Sequence, residues 1–418
     1  MNFAAKISID EQLSILNKCI LKKIDLYCEL ERLGLSYDDL RYRDNSPITR
    51  NSAQFLTPDN SDYGNHGIPI VSFFSGAGGL DIGFEYAGFK HQASIEINSI
   101  FCQTIRLNRP DWFVIGPPEY SGDVRNREEI FTILKLRLGI QTPFEGIFTG
   151  GPPCQPFSIA ANQRFSKEGD NFKRVGFSHS EFGNLLFDFV WYIQQFKPKA
   201  FLIENVTGLL DIDGGTQLSE ALSVLGESGY TVSEPVVVNA AHYGVPQNRN
   251  RLFVFGHRTA NQFVFPEPSL NIVPCYKAFE KPVDGLENHA TRQHKAESII
   301  RYMELSYGGR DKLGRVDRLN PNLPSKTVIS GGTKGGGRSH LHPVYPRTLT
   351  VRESARLQTF PDNFVFCGPP ARQFTQVGNA VPPLLALQLA CSIYSQIYTS
   401  CSIQTISKSH SKYSRSTI

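Results

Sequence analysis

At 418 residues, with 40% hydrophobic and 20% charged side chains, the chain can bury a full core and is too long for one small domain, so two or three units are expected. A net charge of +4 neither excludes nor requires a nucleic-acid partner. The eight cysteines include no Cys-x-x-Cys pair and no regular spacing, and neither a signal peptide nor a long apolar span is read. This excludes a disulfide scaffold and a zinc site, and fits free thiols in a reducing, cytoplasmic setting with no membrane part.

Residues 1–67 read as a helical extension followed by a linker. Leu13, Ile15, Leu16, Ile20, Leu21, Ile24, Leu26 and Leu30 recur among Lys22, Lys23, Glu29 and Glu31, with Ser8 or Asp10 as N-cap and Gly34 as stop. The expected arrangement is a helical hairpin added to the main domain. A DNA-binding helix-turn-helix is the competing reading, but no turn glycine separates two short helices at the required spacing. Residues 44–67 are rich in Asn, Ser, Asp, Pro and Gly.

Residues 68–74 form a strand candidate, followed by Ser75-Gly76-Ala77-Gly78-Gly79 and a helix through Leu80, Ile82 and Phe84. A glycine turn between strand and helix lets the backbone approach a ligand and offers it free N–H groups. Alone it is a weak signal, shared with nucleotide-binding oxidoreductases, although their spacing is Gly-x-Gly-x-x-Gly. The next strand, 93–95, ends at Glu96, about twenty residues beyond the glycines, where an acid suits the hydroxyls of a ribose. Asp123, in Gly122-Asp123-Val124, reads by itself as a turn residue.

A short apolar run, 144–148, leads into Gly150-Gly151-Pro152-Pro153-Cys154-Gln155-Pro156-Phe157-Ser158. In open α/β sheets chemistry sits at such strand ends, and prolines on both sides of Cys154 would hold one thiol in a fixed direction. Beyond a polar stretch at 161–180 with Arg164, Lys167, Lys173 and Arg174, Gly183-Asn184-Leu185 starts a helix. Residues 199–203 form a strand whose tip carries Glu204-Asn205-Val206. Two neighbouring parallel strands would place Cys154 and Glu204 at one edge of the same crevice. Val236-Val237-Val238 and Gln247-Asn248-Arg249-Asn250-Arg251 follow, and strand alternation points Arg249 and Arg251 to one face.

The character then changes. Between residues 308 and 340 there are seven Lys or Arg and eight Gly, a basic and flexible composition suited to guanine edges and phosphates. Residues 350–366 have helical spacing. Gln376-Val377-Gly378-Asn379-Ala380-Val381-Pro382 then opens a closing helix, with Asn379 as an N-cap candidate. The tail from about residue 402 is basic, lacks acids, and is expected to be disordered.

With its motifs in this order from about residue 71 to 390, the chain resembles the DNA cytosine C5-methyltransferases, whose nucleophile sits in a Pro-Cys-Gln loop. The resemblance implies a class I S-adenosylmethionine-dependent methyltransferase domain, α/β and Rossmann-like, with a smaller target recognition domain inserted. Its division would be 1–67 extension, 68–256 main catalytic part, 257–346 recognition domain, 347–400 closing segment and 401–418 tail. It assigns Phe74, Gly76, Gly78, Gly79, Glu96, Ile97, Asp123, Pro153, Leu185 and Asn379 to the cofactor, with Asp123 on the adenine amino group. It also makes Cys154 the nucleophile and Glu204, Arg249 and Arg251 its partners on a flipped-out cytosine of double-stranded DNA. Thr327-Val328 matches a recurring pair of the recognition region, and the stretch 161–180 would close over DNA. Many relatives carry Arg where this chain has Phe182, so that contact must come from elsewhere. S-adenosylhomocysteine is the expected product, with no metal, a monomeric enzyme, and a separate cognate restriction endonuclease. A tRNA methyltransferase and a non-catalytic DNA-binding protein are the rival readings.

Overall fold

The computed structural model describes residues 6–44, 46–49, 51–57, 64–153, 185–330 and 340–399. Cys154, the polar stretch 161–180, the glycine run 331–337 and the tail 401–418 lie outside the described residues.

The chain opens with two helices, α1 (Ile9–Lys22) and α2 (Leu26–Arg32). Ser8 caps α1 in a reciprocal box with Glu11, Asp25 caps α2, and Gly34 follows α2 at φ +68°, so local hydrogen bonds fix both helix starts. The main sheet then begins with β1 (Pro69–Phe73), β2 (Lys90–Ile95), β3 (Val114–Ile115), β4 (Ile147–Gly150) and β5 (Ala200–Asn205). These five run parallel in the order β3-β2-β1-β4-β5. β6 (Thr231–Val232) and β7 (Val236–Asn239) both pair antiparallel with β8 (Asn250–His257), which itself lies antiparallel to β5.

Apolar side chains on both faces make this a buried sheet. Along β5, Ala200 and Leu202 join one core and Phe201 and Ile203 the other, as the period of two requires. Helices α3 (Gly79–Tyr86), α4 (Ser99–Asn108), α5 (Arg127–Thr132), α6 (Leu185–Phe196) and α7 (Thr216–Glu227) connect the strands. This is the expected class I methyltransferase architecture.

After β8 the chain leaves the sheet and builds a second unit with α8 (Ala296–Met303) and a small sheet of β9 (Arg310–Asp311), β10 (Val316–Arg318) and β11 (His340–Leu341). The N-terminal helices pack here and not on the main domain as expected. Leu16, Cys19, Leu26 and Leu30 share a core with Ile299, Tyr302, Met303, Val316 and Leu341, because the apolar face of α8 would otherwise be left open to water.

The chain then returns through α9 (Val351–Leu357), α10 (Pro370–Asn379) and α11 (Pro383–Ile393). Residues 370–398 are long and apolar enough to cross a membrane by length and composition, which amends the expectation of no long apolar span. However, 72% of the window that meets this test is buried inside the protein, so it is core. α11 lies so close to α3 that a Cβ at Gly83 would come within 2.6 Å of the Leu387 backbone nitrogen. Gly83→Ala is therefore expected to lower stability by about 1–3 kcal/mol through overpacking. Gly226→Ala, in α7 where a Cβ meets nothing within 4 Å, should raise it by about 0.5 kcal/mol. Urea unfolding of both variants checks the contrast.

Candidate active site

The strand order reverses at β1, which has β2 on one side and β4 on the other, and a crevice must open where the following loops part. A cavity of about 320 Å³ lies there, within the range of small-molecule sites. Phe74, Gly76 and Gly79 line it from the end of β1. Phe74 has φ +56°, a left-handed conformation that costs a non-glycine residue of the order of 1 kcal/mol. Gly76 and Gly78 follow at φ +58° and +79°, which glycine adopts freely. Gly78 is not on the wall; it is the N-cap that starts α3.

Glu96, just past β2, is only 7% exposed. Its two carboxylate oxygens accept the backbone N–H groups of Gly76 at 2.8 Å and of Asn98 at 2.7 Å, so the acid is held against the glycine turn. Burial pushes its pKa up to about 7, despite these hydrogen bonds. Ile97 lines the cavity although its side of the chain is 52% exposed. Asp123 also lines it, and Arg125 holds its carboxylate through an ion pair at 2.7 Å and lowers its pKa. Pro153, Leu185 at the start of α6, and Asn379 at the end of α10 complete the set expected from sequence. Ser330 and Gln376 also line the cavity; Gln376 stands in the string that carries Asn379, where sequence reasoning read no role for it, and no sequence signal marked Ser330.

The cavity lining also holds an acid and a base in contact, Glu204 and Arg251. Glu204, near the tip of β5, pairs with Arg251 of β8 at 3.0 Å, and their side chains are 12% and 14% exposed. Burial raises the Glu204 pKa, while the guanidinium groups of Arg251 and Arg249 oppose the shift, so the carboxyl holds its proton more tightly than a solvated one. A Cβ on Gly151 would stand 2.8 Å from Glu204 Oε2, so any other residue there requires this carboxyl to shift. Asn205 donates to the Pro152 carbonyl at 3.1 Å, anchoring that loop two residues before Cys154, which is outside the described residues.

Arg249 is not on the cavity wall. It is fully buried and donates to the carbonyls of Val328 at 3.2 Å and Gly378 at 2.7 Å. Gln247, also fully buried, accepts the Val328 N–H at 2.8 Å and donates to Gln358 at 2.9 Å. Gln358 in turn donates to the Val377 carbonyl at 2.7 Å. Both polar groups of the Val328 peptide and the last turn of α10 are thus held by one buried network. Sequence reasoning missed the role of Gln247, although it stands in the same Gln-Asn-Arg-Asn-Arg string. Among the described residues, no group of three or more His, Cys, Asp or Glu could hold a metal ion.

A family model for the C-5 cytosine-specific DNA methylase matches residues 68–395, and the chain belongs to that family. It is a DNA cytosine-5-methyltransferase, which transfers a methyl group from S-adenosylmethionine to C5 of cytosine. The chain is 35% identical to Type II methyltransferase M.PspPI of Psychrobacter sp. (strain TA137) over 353 residues, 78% of each protein. It is 33% identical to Type II methyltransferase M.Eco47II of Escherichia coli over 373 residues, 82% of this chain and 83% of that one. Among solved structures, a prophage-encoded DNA modification methyltransferase (E. coli) has a TM-score of 0.64 at 24% identity, with 80% of this chain and 100% of that one covered; this likeness is one of fold. Membership sets aside the rival readings of a tRNA methyltransferase and a non-catalytic binding protein.

Two outcomes follow from the geometry. Folded Glu96 keeps its proton to about pH 7, whereas the unfolded chain releases it near the ordinary value of 4.5. The cost of burying the charge therefore appears as pH rises from 4.5 to 7, and is constant above. Without cofactor, the stability of Glu96→Gln relative to the native chain should rise across that window by roughly 3 kcal/mol. Urea midpoints at several pH values test this, and a pH-independent difference would refute it. Gly151→Ala should displace Glu204 and, with Glu204 in the role proposed below, lower kcat at least about tenfold, since small misplacements at a reacting centre are costly. Its affinity for S-adenosylhomocysteine should stay within about twofold.

Proposed function

We propose that the cavity binds S-adenosylmethionine beside a cytosine flipped out of a specific double-stranded DNA sequence, and that Cys154 attacks that base. The observation that carries this reading is a buried, arginine-paired Glu204 touching the β4 loop, in one cavity with Glu96 and the glycine turn. The residues fit the cofactor. Glu96 faces the cavity with a carboxylate suited to ribose hydroxyls, and Asp123 keeps an acceptor for the adenine amino group. Phe74, Ile97, Pro153 and Leu185 supply apolar walls for the purine and the methionine chain. Gly76, Gly78 and Gly79 bring the α3 N–H groups near its carboxylate, and Asn379 closes the site from α10.

When bound, S-adenosylmethionine supplies an electrophilic methyl group on its sulfonium. The cytosine C5 is a poor nucleophile until the Cys154 thiolate adds to C6, which moves electron density onto C5 and divides one difficult step into easier ones. Glu204, with its raised pKa, shares its proton with N3 so that negative charge does not build up on the ring. Arg251 fixes the Glu204 carboxyl and faces the base carbonyl. Arg249 acts at one remove, by holding Val328 and α10 in place. Departure of the C5 proton then lets Cys154 leave.

Residues 257–346 form the target recognition domain in this reading, inserted between the catalytic parts 68–256 and 347–400. The protein acts as a monomer on DNA in a bacterial cytoplasm. Its Type II relatives support a place as the modification enzyme of a restriction-modification system beside a separate endonuclease.

The covalent step gives the decisive test. Replacing the C5 hydrogen of the target cytosine by fluorine blocks loss of a proton there, so protein should remain attached to DNA after methyl transfer. The adduct should survive denaturation, require S-adenosylmethionine, and be absent in Cys154→Ser. An enzyme active on the normal duplex that forms no adduct would overturn the mechanism.

A further inference from the structure

The family match begins at residue 68, yet residues 6–44 are built into the unit that follows β8. Tyr37 accepts the His294 N–H at 2.8 Å through its hydroxyl and donates to the His294 carbonyl at 3.1 Å. Tyr42 donates to the His342 carbonyl at 2.9 Å, and the Arg318 guanidinium lies 3.6 Å from the centre of its ring. Arg318 is buried and also donates to the Asp44 carbonyl at 3.2 Å. Asp38 pairs with the fully buried Arg347. Leu16 and Leu30, both buried, complete a core with Val316 and Leu341.

Apart from those to His294 and Arg347, these contacts fall on two points of the chain. β10 and β11 are parallel neighbours, with Arg318 beside Leu341, and parallel pairing demands a long crossover between them. The described part of that crossover, residues 319–330, contains Thr327-Val328. At its two roots, Val316 and Leu341 share a core with the N-terminal helices, and Arg318 and His342 meet Tyr42 beyond them. The crossover also enters the buried Gln247 and Arg249 network through Val328. Its roots are therefore fixed from one side by residues 6–44, and Val328 from the other by Gln247 and Arg249, just before β8.

We infer that residues 6–44 are a structural part of the target recognition domain, positioning the DNA-reading crossover and thereby setting affinity for the target sequence, without serving the cofactor site. This rests on the reading of residues 257–346 as the recognition domain.

The test uses the full chain and a duplex carrying its own methylation sequence, found by mapping 5-methylcytosine in DNA of cells that express it. Leu30→Ala should remove hydrogen-exchange protection from α1 and α2 and weaken binding of that duplex about tenfold relative to an unrelated duplex. Affinity for S-adenosylhomocysteine, measured by calorimetry, should stay within about twofold. Tyr42→Phe keeps the ring under Arg318 and loses only the bond to His342, so it should show a smaller loss in the same direction, and it decides the matter if Leu30→Ala does not fold. Parallel loss of cofactor and DNA binding would make the extension a general stabiliser and overturn the inference, as would unchanged DNA binding with α1 and α2 unprotected. Grafting residues 257–346 from a relative with another target separates the two readings. Unchanged sequence choice in that active chimera defeats the recognition-domain assignment, whatever Leu30→Ala does.

Discussion

The close approach of α11 to α3 is the constraint on which the other parts depend. Gly79 and Gly83 present bare backbone where any side chain would meet Val381, Ala386 or Leu387. The closing segment can therefore lie on the helix that starts the glycine turn. That contact brings the end of the chain back to the beginning of the sheet, so everything between β8 and α9 must leave and return. Asn379 reaches the cavity for this reason, and the inserted unit is held beside the same opening as Glu204.

Buried arginines do the equivalent work in and around the inserted unit. Arg249, Arg318, Arg347 and Arg352 are all essentially without solvent contact, which is costly unless the charge is well paired and its N–H groups are satisfied. Arg347 meets Glu353 at 2.8 Å, and Arg352 donates to the Pro361 and Glu287 carbonyls. Each guanidinium joins segments distant in sequence, where an apolar side chain of similar size would pack but would not choose one register. These buried polar contacts thereby tie the inserted unit and its flanking segments together where there is little regular sheet or helix to define them.

The cavity combines two environments that burial drives in the same direction. Glu96 and Glu204 both hold protons more tightly than solvated carboxyls, but their partners differ. Backbone N–H groups face Glu96, leaving its charge state to the solvent pH and the ligand. A guanidinium faces Glu204, restraining the shift and fixing the direction of the carboxyl. The same residue type is thus held in two different electrostatic settings within one cavity.

Local patterns determined much of this protein. The glycine turn after β1, Glu96 at the end of β2, the Pro-Cys-Gln loop and Glu-Asn-Val at the end of β5 each couple a strand to a particular side chain within a few residues, so periodicity and turn chemistry suffice to read them. The Ser8 cap and the helical stripe of residues 13–30 were legible for the same reason. Only the tertiary structure decided where that stripe packs, that Arg249 turns to Val328 and Gly378 while Arg251 meets Glu204, and that Ser330 and Gln376 line the same cavity as Glu96 and Glu204. Those outcomes depend on which distant surface offers a matching apolar face or an unpaired carbonyl, and a stretch of sequence carries no record of its partner across the fold.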